Sequence, residues 1–258
     1  MARTIPHGRT DGQPGDPRTS AFALTPIPDL GDAARGERGV RPAVPGLFAS
    51  FGGRCEMDAT LGPCLILTAG GAGTGKTRLS QALVRRVPNA ILLDKDRILG
   101  AWVDLVLQAS GEAVDRDGRY YWHDVRPQEY RTLEQVAYDH LELGKVVVVD
   151  APLRPELNDP AWVNRIRGEC HNRDAGFLAV WLIVSPDTAR RRMTARAEPR
   201  DRWKLDNWEE FLHRQPYDPP AGAGLVLRNE DADALESVLA QTLAAIEAAK
   251  KRTEGQQP

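Results

Sequence analysis

The sequence has few cysteines, and none of the three has the spacing of a metal-binding pair. Cys55, Cys64 and Cys170 leave an odd number, which argues against a disulfide-stapled scaffold and favours the reduced thiols of an intracellular protein. No apolar run approaches the roughly 18 residues that a membrane span requires, and the N-terminus lacks an apolar segment behind its charges. These absences predict a soluble, cytoplasmic protein with no membrane partner.

An excess of charge of either sign is also missing. The chain has 34 Lys and Arg against 36 Asp and Glu, which gives a net charge of −2. A protein that neutralises a polyanion needs a strong basic excess, so the composition argues against nucleic acid as the main partner. With 258 residues, 41% of them hydrophobic, the chain can form the core of one domain. Nothing in the sequence indicates an oligomeric state.

The N-terminal part has the composition of an unstructured segment. Residues 1–50 contain seven Pro, seven Gly and six Arg, without apolar periodicity. Such a segment cannot bury enough apolar surface to offset its loss of chain entropy. We therefore expect a disordered tail over residues 1–58, a folded domain over residues 59–252 and a disordered C-terminus over residues 253–258. Met57, just before the first predicted strand, is an alternative translation start.

From about residue 62 onward, short apolar runs alternate with helical patterns. Continuous apolar runs are typical of strands in a parallel sheet, because helices cover both of its faces. Proline at the start and glycine beyond the end favour two of the helices. The pattern predicts an α/β, three-layer sandwich around a parallel five-stranded sheet. The predicted strands are 65–68, 90–93, 146–149, 178–184 and 225–227, and the predicted helices include 127–143, 160–174 and 232–251.

A glycine-rich segment lies between the first predicted strand and a predicted helix over 76–87. It reads Gly70-Gly71-Ala72-Gly73-Thr74-Gly75-Lys76-Thr77, a complete match to the phosphate-binding pattern G-x-x-x-x-G-K-[ST]. In such a loop the backbone N–H groups and the helix N-terminus bind phosphates, Lys76 reaches the β and γ phosphates, and Thr77 ligates Mg²⁺. The sequence therefore predicts a nucleoside triphosphate site, with ATP and Mg²⁺ as cofactors bound by these residues.

Acidic residues follow two of the predicted strands. Asp94 and Asp96 come after the second strand and Asp150 after the third, at the sheet edge where ligands of open parallel sheets lie. One aspartate there can hold Mg²⁺, and another can accept a proton from an attacking hydroxyl. We assign Asp96 as the base and Thr77, Asp94 and Asp150 as metal-site residues, although the spacing also permits Asp94 as the base. The alternative is that these aspartates only cap turns or helices.

Together these motifs resemble P-loop kinases. The loop followed about 20 residues later by Asp94-x-Asp96 resembles shikimate and gluconate kinases, and Asp94-x-x-Arg97 resembles polynucleotide kinase and the zeta toxins. Residues 62–217 resemble a family of bacterial AAA-type, kinase-like ATP-binding proteins. The segments that carry this resemblance are Leu93-Asp94-Lys95-Asp96, Arg126-Pro127-x-x-Tyr130, Asp150-Ala151-Pro152, Asp159-Pro160-x-Trp162 and Arg200-Asp201-x-x-Lys204-Leu205. The resemblance implies the sheet order 2-3-1-4-5 and a lid that closes over ATP.

An arginine-rich segment follows the fourth predicted strand, where similar kinases carry lid arginines. Arg192, Arg196 and Arg200 recur every four residues, so they share one face if a helix continues that far. Arginine offers forked donors that neutralise a phosphoryl group during transfer. We expect Arg196 and Arg192 to have this role, with Arg200 next. The alternative is a solvated helix face paired with neighbouring carboxylates such as Asp201.

An aromatic insert over residues 115–124 lies on the side where similar kinases receive the phosphate acceptor. Its charged and aromatic groups are suited to a polar small molecule, but Tyr121 and Trp122 can equally form a small satellite core. His123, for which no partner can be deduced, is expected to be structural. By the same resemblance we expect Asn229, after the fifth strand, to border the adenine.

The expected function is an ATP-dependent phosphotransferase that moves the γ-phosphoryl group to a hydroxyl of a small molecule. The acceptor is the one partner predicted, and its identity stays open. The catalytic candidates are Asp96, Asp94, Lys76, Arg196 and Arg192. Two alternatives remain: a kinase for nucleic-acid 5′-hydroxyl groups, and a non-catalytic switch in which ATP orders a lid that a partner protein reads.

Overall fold

The computed structural model describes residues 61–111, 116, 118–198, 201–214, 217–230 and 234–254. The predicted tail over residues 1–58 lies outside these ranges. So do Arg200, two positions of the aromatic insert (115 and 117) and the predicted start of the last helix at residue 232.

A five-stranded sheet forms the centre of the fold. Its spatial order is β2-β3-β1-β4-β5, and every neighbouring pair of strands is parallel. The predicted sheet order and all five predicted strands are therefore confirmed, with ends that differ by no more than two residues. The strands are β1 (Cys64–Gly70), β2 (Ala90–Asp94), β3 (Val146–Asp150), β4 (Gly176–Ile183) and β5 (Leu225–Arg228).

Helices connect the strands and cover both faces of the sheet. In the part of the chain that the structure describes they are α1 (Lys76–Arg86), α2 (Lys95–Ala109), α3 (Arg126–Glu142), α4 (Arg154–Leu157), α5 (Pro160–His171), α6 (Pro186–Arg196), α7 (Arg202–Asp206), α8 (Trp208–Arg214) and α9 (Ala234–Glu254). A π-helical turn, Tyr121–Val125, precedes α3. None of these helices is both long enough and apolar enough to cross a membrane.

Alternate side chains of each strand build two separate cores. In β1, Leu65 and Leu67 belong to the core that contains buried side chains of α3 and α5, whereas Cys64 and Ile66 belong to the core that contains those of α1 and α9. Both faces are buried, which explains the continuous apolar runs in the sequence. Fully burying a leucine contributes about 1.5–3 kcal/mol relative to an exposed one, so these layers hold the sheet rigidly between the helices.

The parallel register brings the ends of three strands together at one edge of the sheet. Thr68 of β1 and Asp94 of β2 are both register partners of Asp150 at the end of β3. The glycine-rich loop continues directly from β1, and α2 begins directly after β2. This carboxyl edge therefore collects the residues that the sequence singles out.

Candidate active site

The glycine-rich loop joins β1 to α1, as the sequence predicts. Helix α1 begins at Lys76, and Gly75 before it has a left-handed backbone with φ 89°. A side chain at Gly75 would be strained, and its Cβ would lie 2.5 Å from Nδ2 of Asn229. Gly73 also has a positive φ of 77°, and a Cβ there would lie 2.8 Å from the carbonyl oxygen of Ala189 in α6. The loop thus needs glycine for its backbone conformation and for the close approach of its neighbours.

Three side chains from other parts of the chain hold the loop by its carbonyl groups. Asn229 donates from Nδ2 to the Thr74 carbonyl at 2.7 Å, and Tyr217 donates from its hydroxyl to the Ala72 carbonyl at 2.8 Å. Arg192 donates to the Gly73 carbonyl at 3.3 Å and to the Asn229 carbonyl at 2.7 Å. With its carbonyls held in this way, the loop can direct backbone N–H groups to a ligand.

Lys76 lies in a strongly charged environment. Its Nζ is 3.5 Å from the carbonyl oxygen of Gly71. Burial lowers the pKa of Lys76, Asp150 and Asp96 oppose that change, and Arg196 and Lys204 lower the pKa further. The structure therefore places two of the predicted carboxylates and one predicted arginine within electrostatic reach of the loop lysine. Lys204 is an additional cation near Lys76. From the sequence it was named only within the motif Arg200-Asp201-x-x-Lys204-Leu205 and was given no role.

Asp150 is buried, with 4% of its surface exposed. Among the described residues, neither of its carboxylate oxygens has a hydrogen-bond partner. Burial raises the pKa of Asp150, while the charge of Lys76 and the nearby hydroxyl of Thr77 oppose the rise. Buried carboxylates are normally paired or bound to a metal. An unpaired carboxylate beside the hydroxyl that the loop motif assigns to Mg²⁺ fits such an ion, although no group of three or more acidic, His or Cys side chains suited to a metal occurs in the described ranges.

Asp94 has a structural partner at the same edge. Its side chain accepts a hydrogen bond of 3.2 Å from the backbone N–H of Arg97, and Asp94 is the N-cap residue of α2. An N-cap satisfies one of the unpaired N–H groups at the start of a helix. The alternative role considered for the strand-end aspartates is therefore present at Asp94.

Asp96 lies in the first turn of α2 with 43% of its side chain exposed. Its Oδ1 is 3.1 Å from Nζ of Lys95 and 3.5 Å from Nη1 of Arg116. Arg116 also contacts Asp104 at 2.9 Å. Asp96 is thus an accessible carboxylate whose orientation is restricted by two cations.

Lys95 belongs to a buried polar network that the sequence did not reveal. Its Nζ is 3.0 Å from Oε1 of Glu129, and the side chains are only 5% and 3% exposed. Tyr121 donates from its hydroxyl to Oε2 of Glu129 at 2.7 Å. The network links the π-helical turn, α3 and the start of α2, and it ends at Asp96. A charged pair so deeply buried is costly to desolvate, which makes it unusual as a purely stabilising feature.

The predicted arginines Arg192 and Arg196 have different hydrogen-bond partners. Helix α6 ends at Arg196, because Ala197 has a left-handed backbone with φ 51°, so the expected helical face does not continue to position 200. Arg192 contacts the loop, as described above. Arg196 donates from Nε to Oδ2 and from Nη2 to Oδ1 of Asp201, at 2.5 and 2.8 Å. Lys204 donates to the same Oδ1 at 3.3 Å.

The contacts of the described part of the aromatic insert are with other side chains of the fold. Tyr121 packs in a small core with Val103 and Leu107, which is the satellite core considered above. Trp122 is 39% exposed and lies over the guanidinium of Arg126, whose carbon is 4.7 Å from the ring centroid. His123 is exposed. No described contact gives these aromatic residues a ligand-binding role.

Solved structures that are similar to this chain include three kinases. APS kinase of Mycobacterium tuberculosis, in complex with AMPPNP and APS, is 17% identical, covers 72% of this chain and 98% of its own, and has a TM-score of 0.50. Shikimate kinase of Bacteroides thetaiotaomicron is 19% identical over 71% of this chain and 98% of its own, with a TM-score of 0.42. Gluconokinase of Sinorhizobium meliloti is 14% identical over 77% and 100%, with a TM-score of 0.45. At these identities the likeness to APS kinase shows the fold alone, which is that of P-loop kinases.

Sequence comparison gives the family. A search of curated proteins found no match. A family model described as an AAA domain matches residues 65–216, which is more than half of the 258 residues. This range includes most of the glycine-rich loop's strand, the loop itself, and the three aspartates at the carboxyl edge. The chain therefore belongs to this AAA domain family, and it has the kinase-type P-loop fold.

Proposed function

We propose that the protein is an ATP-dependent phosphotransferase that transfers the γ-phosphoryl group of ATP to a hydroxyl group of a small molecule. The observation that carries the proposal is the position of Asp96, an accessible carboxylate within electrostatic reach of Lys76. A base beside the phosphate-binding lysine is what phosphoryl transfer to a hydroxyl requires.

The proposed reaction divides between the loop and Asp96. Lys76 and the loop N–H groups bind the β and γ phosphates. The acceptor hydroxyl oxygen forms a bond to the γ phosphorus, the bond from that phosphorus to the β–γ bridging oxygen breaks, and ADP leaves. The hydroxyl proton passes to the carboxylate of Asp96. Arg196, which is close enough to lower the pKa of Lys76, offsets the charge on the transferred group.

The two candidate bases differ in their contacts, which favours Asp96. The carboxylate of Asp94 already accepts the capping hydrogen bond from Arg97 N–H. The Asp94 carboxylate is therefore engaged in holding the start of α2. Asp96 contacts Lys95 and Arg116, and 43% of its side chain is exposed, so a hydroxyl-bearing molecule can approach it.

Thr77 and Asp150 are the residues that would hold Mg²⁺. Asp150 supplies a buried carboxylate without a hydrogen-bond partner among the described residues, and Thr77 supplies a hydroxyl at the start of α1. When bound, the ion would offset the negative charge of the phosphate oxygens.

A transfer assay with γ-labelled ATP, Mg²⁺ and pooled cellular metabolites tests the proposal without a guess at the acceptor. The wild-type chain should yield a labelled small molecule, and Asp96→Asn should abolish the product while it leaves ATP affinity nearly unchanged. Asp139→Asn, which changes an exposed aspartate of α3, is the matched control and should transfer normally.

Three results would contradict parts of the proposal. Loss of ATP affinity in Asp96→Asn would remove the base assignment. A labelled oligonucleotide as the sole product would favour the nucleic-acid kinase. Tight ATP binding without product from any pool would favour the nucleotide-dependent switch.

A further inference from the structure

Asp201 is a buried acid shared by two basic residues. Its side chain is 1% exposed, and it accepts two hydrogen bonds from Arg196 and one from Lys204. Burial alone would raise the pKa of Asp201, but the hydrogen bonds and the charges of Arg196 and Lys204 together hold that pKa below its usual value. Asp201 therefore stays ionised and fixes the direction of both cations.

Both cations keep donors that Asp201 does not use. The contacts with Asp201 occupy two of the five N–H groups of Arg196 and one of the three of Lys204. The side chains of Arg196 and Lys204 are 35% and 24% exposed, so they are neither fully buried nor extended into solvent. A ligand can therefore reach their remaining donors.

The face of α6 that carries Arg196 is the face that lies against the phosphate loop. Ala189 approaches Gly73 so closely that a Cβ on the glycine would lie 2.8 Å from the Ala189 carbonyl oxygen. One turn later Arg192 donates to the carbonyl of the same glycine. Arg196 follows four residues after Arg192, so it lies on the same side of the helix.

Lys204 is brought to the same place from α7. Its neighbour Leu205 packs with Ala72 of the phosphate loop and with Tyr217 in one apolar cluster. The hydroxyl of Tyr217 in turn bonds to the Ala72 carbonyl. The segment that holds Lys204 thus packs against the same apolar cluster as Ala72 of the loop.

The single negative charge of Asp201 does not balance the positive charges of Arg196, Lys204 and Lys76. The charges of Arg196 and Lys204 both add to the effect of burial in lowering the pKa of Lys76, so each of them repels Lys76 beside the loop. An anion with several oxygens would relieve that repulsion, and a triphosphate whose terminal group lies at Lys76 has such oxygens.

We infer that Lys204 binds the terminal phosphate of the nucleoside triphosphate and that Asp201 is a positioning residue which directs Lys204 and Arg196 toward it. The inference rests on the proposed nucleotide site and adds to it a phosphate-binding lysine outside the loop motif. The preference for ATP over ADP then depends on Lys204 in α7 and on Asp201, which directly precedes that helix.

The test is calorimetric titration of the full chain with ATP, ADP and AMP in the presence of Mg²⁺. Lys204→Met should weaken ATP binding about tenfold, because one charge-assisted contact is lost, and should change ADP and AMP binding less than about twofold. Lys204→Arg should restore most of the preference for ATP. Asp201→Asn should reduce the same preference, because it releases both cations.

Arg202→Met is the matched control, because Arg202 is an exposed cation on the same short helix. It should leave all three affinities unchanged. Equal losses for ATP and ADP in Lys204→Met, or no loss beyond that of Arg202→Met, would overturn the inference. If Asp201→Asn fails to fold, the Lys204 variants still decide the role of Lys204, while unchanged ATP preference in folded Asp201→Asn would remove its positioning role.

This experiment needs no phosphate acceptor. Absence of phosphoryl transfer would contradict the proposed reaction and would not affect the binding comparison. A wild-type chain that binds no ATP would overturn both proposals.

Discussion

Asp94 and Asp150 are register partners at the ends of neighbouring parallel strands, yet their carboxylates have different surroundings. Asp94 caps α2 by accepting a hydrogen bond from Arg97 N–H, whereas Asp150 is buried without a hydrogen-bond partner among the described residues. Burial is the main cause that raises the pKa of Asp150, and the charge of Asp94 adds to it. A cation at this edge would offset both the burial of the Asp150 charge and the repulsion from Asp94. From these different surroundings we expect Asp94 to act as a helix cap and Asp150 to act at a metal site.

Asp94 should behave as a helix cap. Asp94→Ala should lower the free energy of unfolding by about 1 kcal/mol, because a capping hydrogen bond is lost, whereas Asp94→Asn should change it little, because asparagine caps equally well. Urea denaturation of the two variants measures the difference. Transfer activity in Asp94→Asn should persist while Asp96→Asn is inactive. An inactive but stable Asp94→Asn would instead assign Asp94 to the chemistry.

Asp150 should show its role through magnesium. In EDTA, Asp150→Asn should be at least as stable as the wild type, because the variant no longer buries a carboxylate whose oxygens lack hydrogen-bond partners among the described residues. With Mg²⁺ and ATP at about 100 times its dissociation constant, the wild type should gain about 2.7 kcal/mol of stability, and the variant clearly less. Thermal melts with and without Mg²⁺ measure both effects. Equal gains in the two proteins would contradict a metal role for Asp150.

The sequence predicted the sheet well because the signals for it are local. Each strand is a continuous apolar run, and the loop motif specifies its own strand, turn and helix. The position of Asp94, Asp96 and Asp150 at one edge followed from the parallel topology alone. The order of the strands came from the resemblance and not from any local pattern.

The site contacts were harder to predict because they join residues distant in sequence. Nothing near Asn229 or Tyr217 indicates that they bind carbonyls of a loop about 150 residues earlier. Helix α6 ends at Arg196 with Ala197 in a left-handed conformation, and the sequence signal for that end is Pro199, two residues after Ala197. Lys95 directly precedes a candidate base, but its buried partner Glu129 is on another helix.

The buried Lys95–Glu129 pair should be coupled in stability. Lys95→Met should cost about 3–5 kcal/mol, because it leaves the charge of Glu129 buried and unpaired. Adding Glu129→Gln should recover most of that loss, since glutamine has nearly the same shape, is neutral and can still accept the hydrogen bond from Tyr121. A double-mutant cycle from urea denaturation measures the coupling.

Lys145→Met is the control for that cycle. Lys145, between α3 and β3, donates an exposed hydrogen bond to the side chain of Asn89, between α1 and β2. Its cost should stay below about 1 kcal/mol. A double variant as unstable as Lys95→Met alone would mean that the two charges do not depend on each other.

Asp201 should make stability fall in acid. Because its pKa is lowered in the folded chain, its contribution is present above the unfolded pKa of about 3.9 and is lost as the pH falls through the lower folded pKa. Asp201→Asn lacks this contribution and should be less stable at pH 7 by about 1–3 kcal/mol, since it loses a charge-assisted contact. The stability difference between wild type and variant should therefore shrink below about pH 4.

Urea denaturation of wild type and Asp201→Asn at pH 7, 4 and 3 measures that change, with Asp206→Asn as the control. Asp206 is an exposed carboxylate of the same segment, so its replacement should give a small difference at every pH. If the difference for Asp201→Asn stays constant down to pH 3, the contact with Arg196 and Lys204 does not depend on the charge of Asp201. Hydrogen-bond geometry alone would then orient Arg196 and Lys204. That result would contradict the charge interactions that lower the pKa of Asp201.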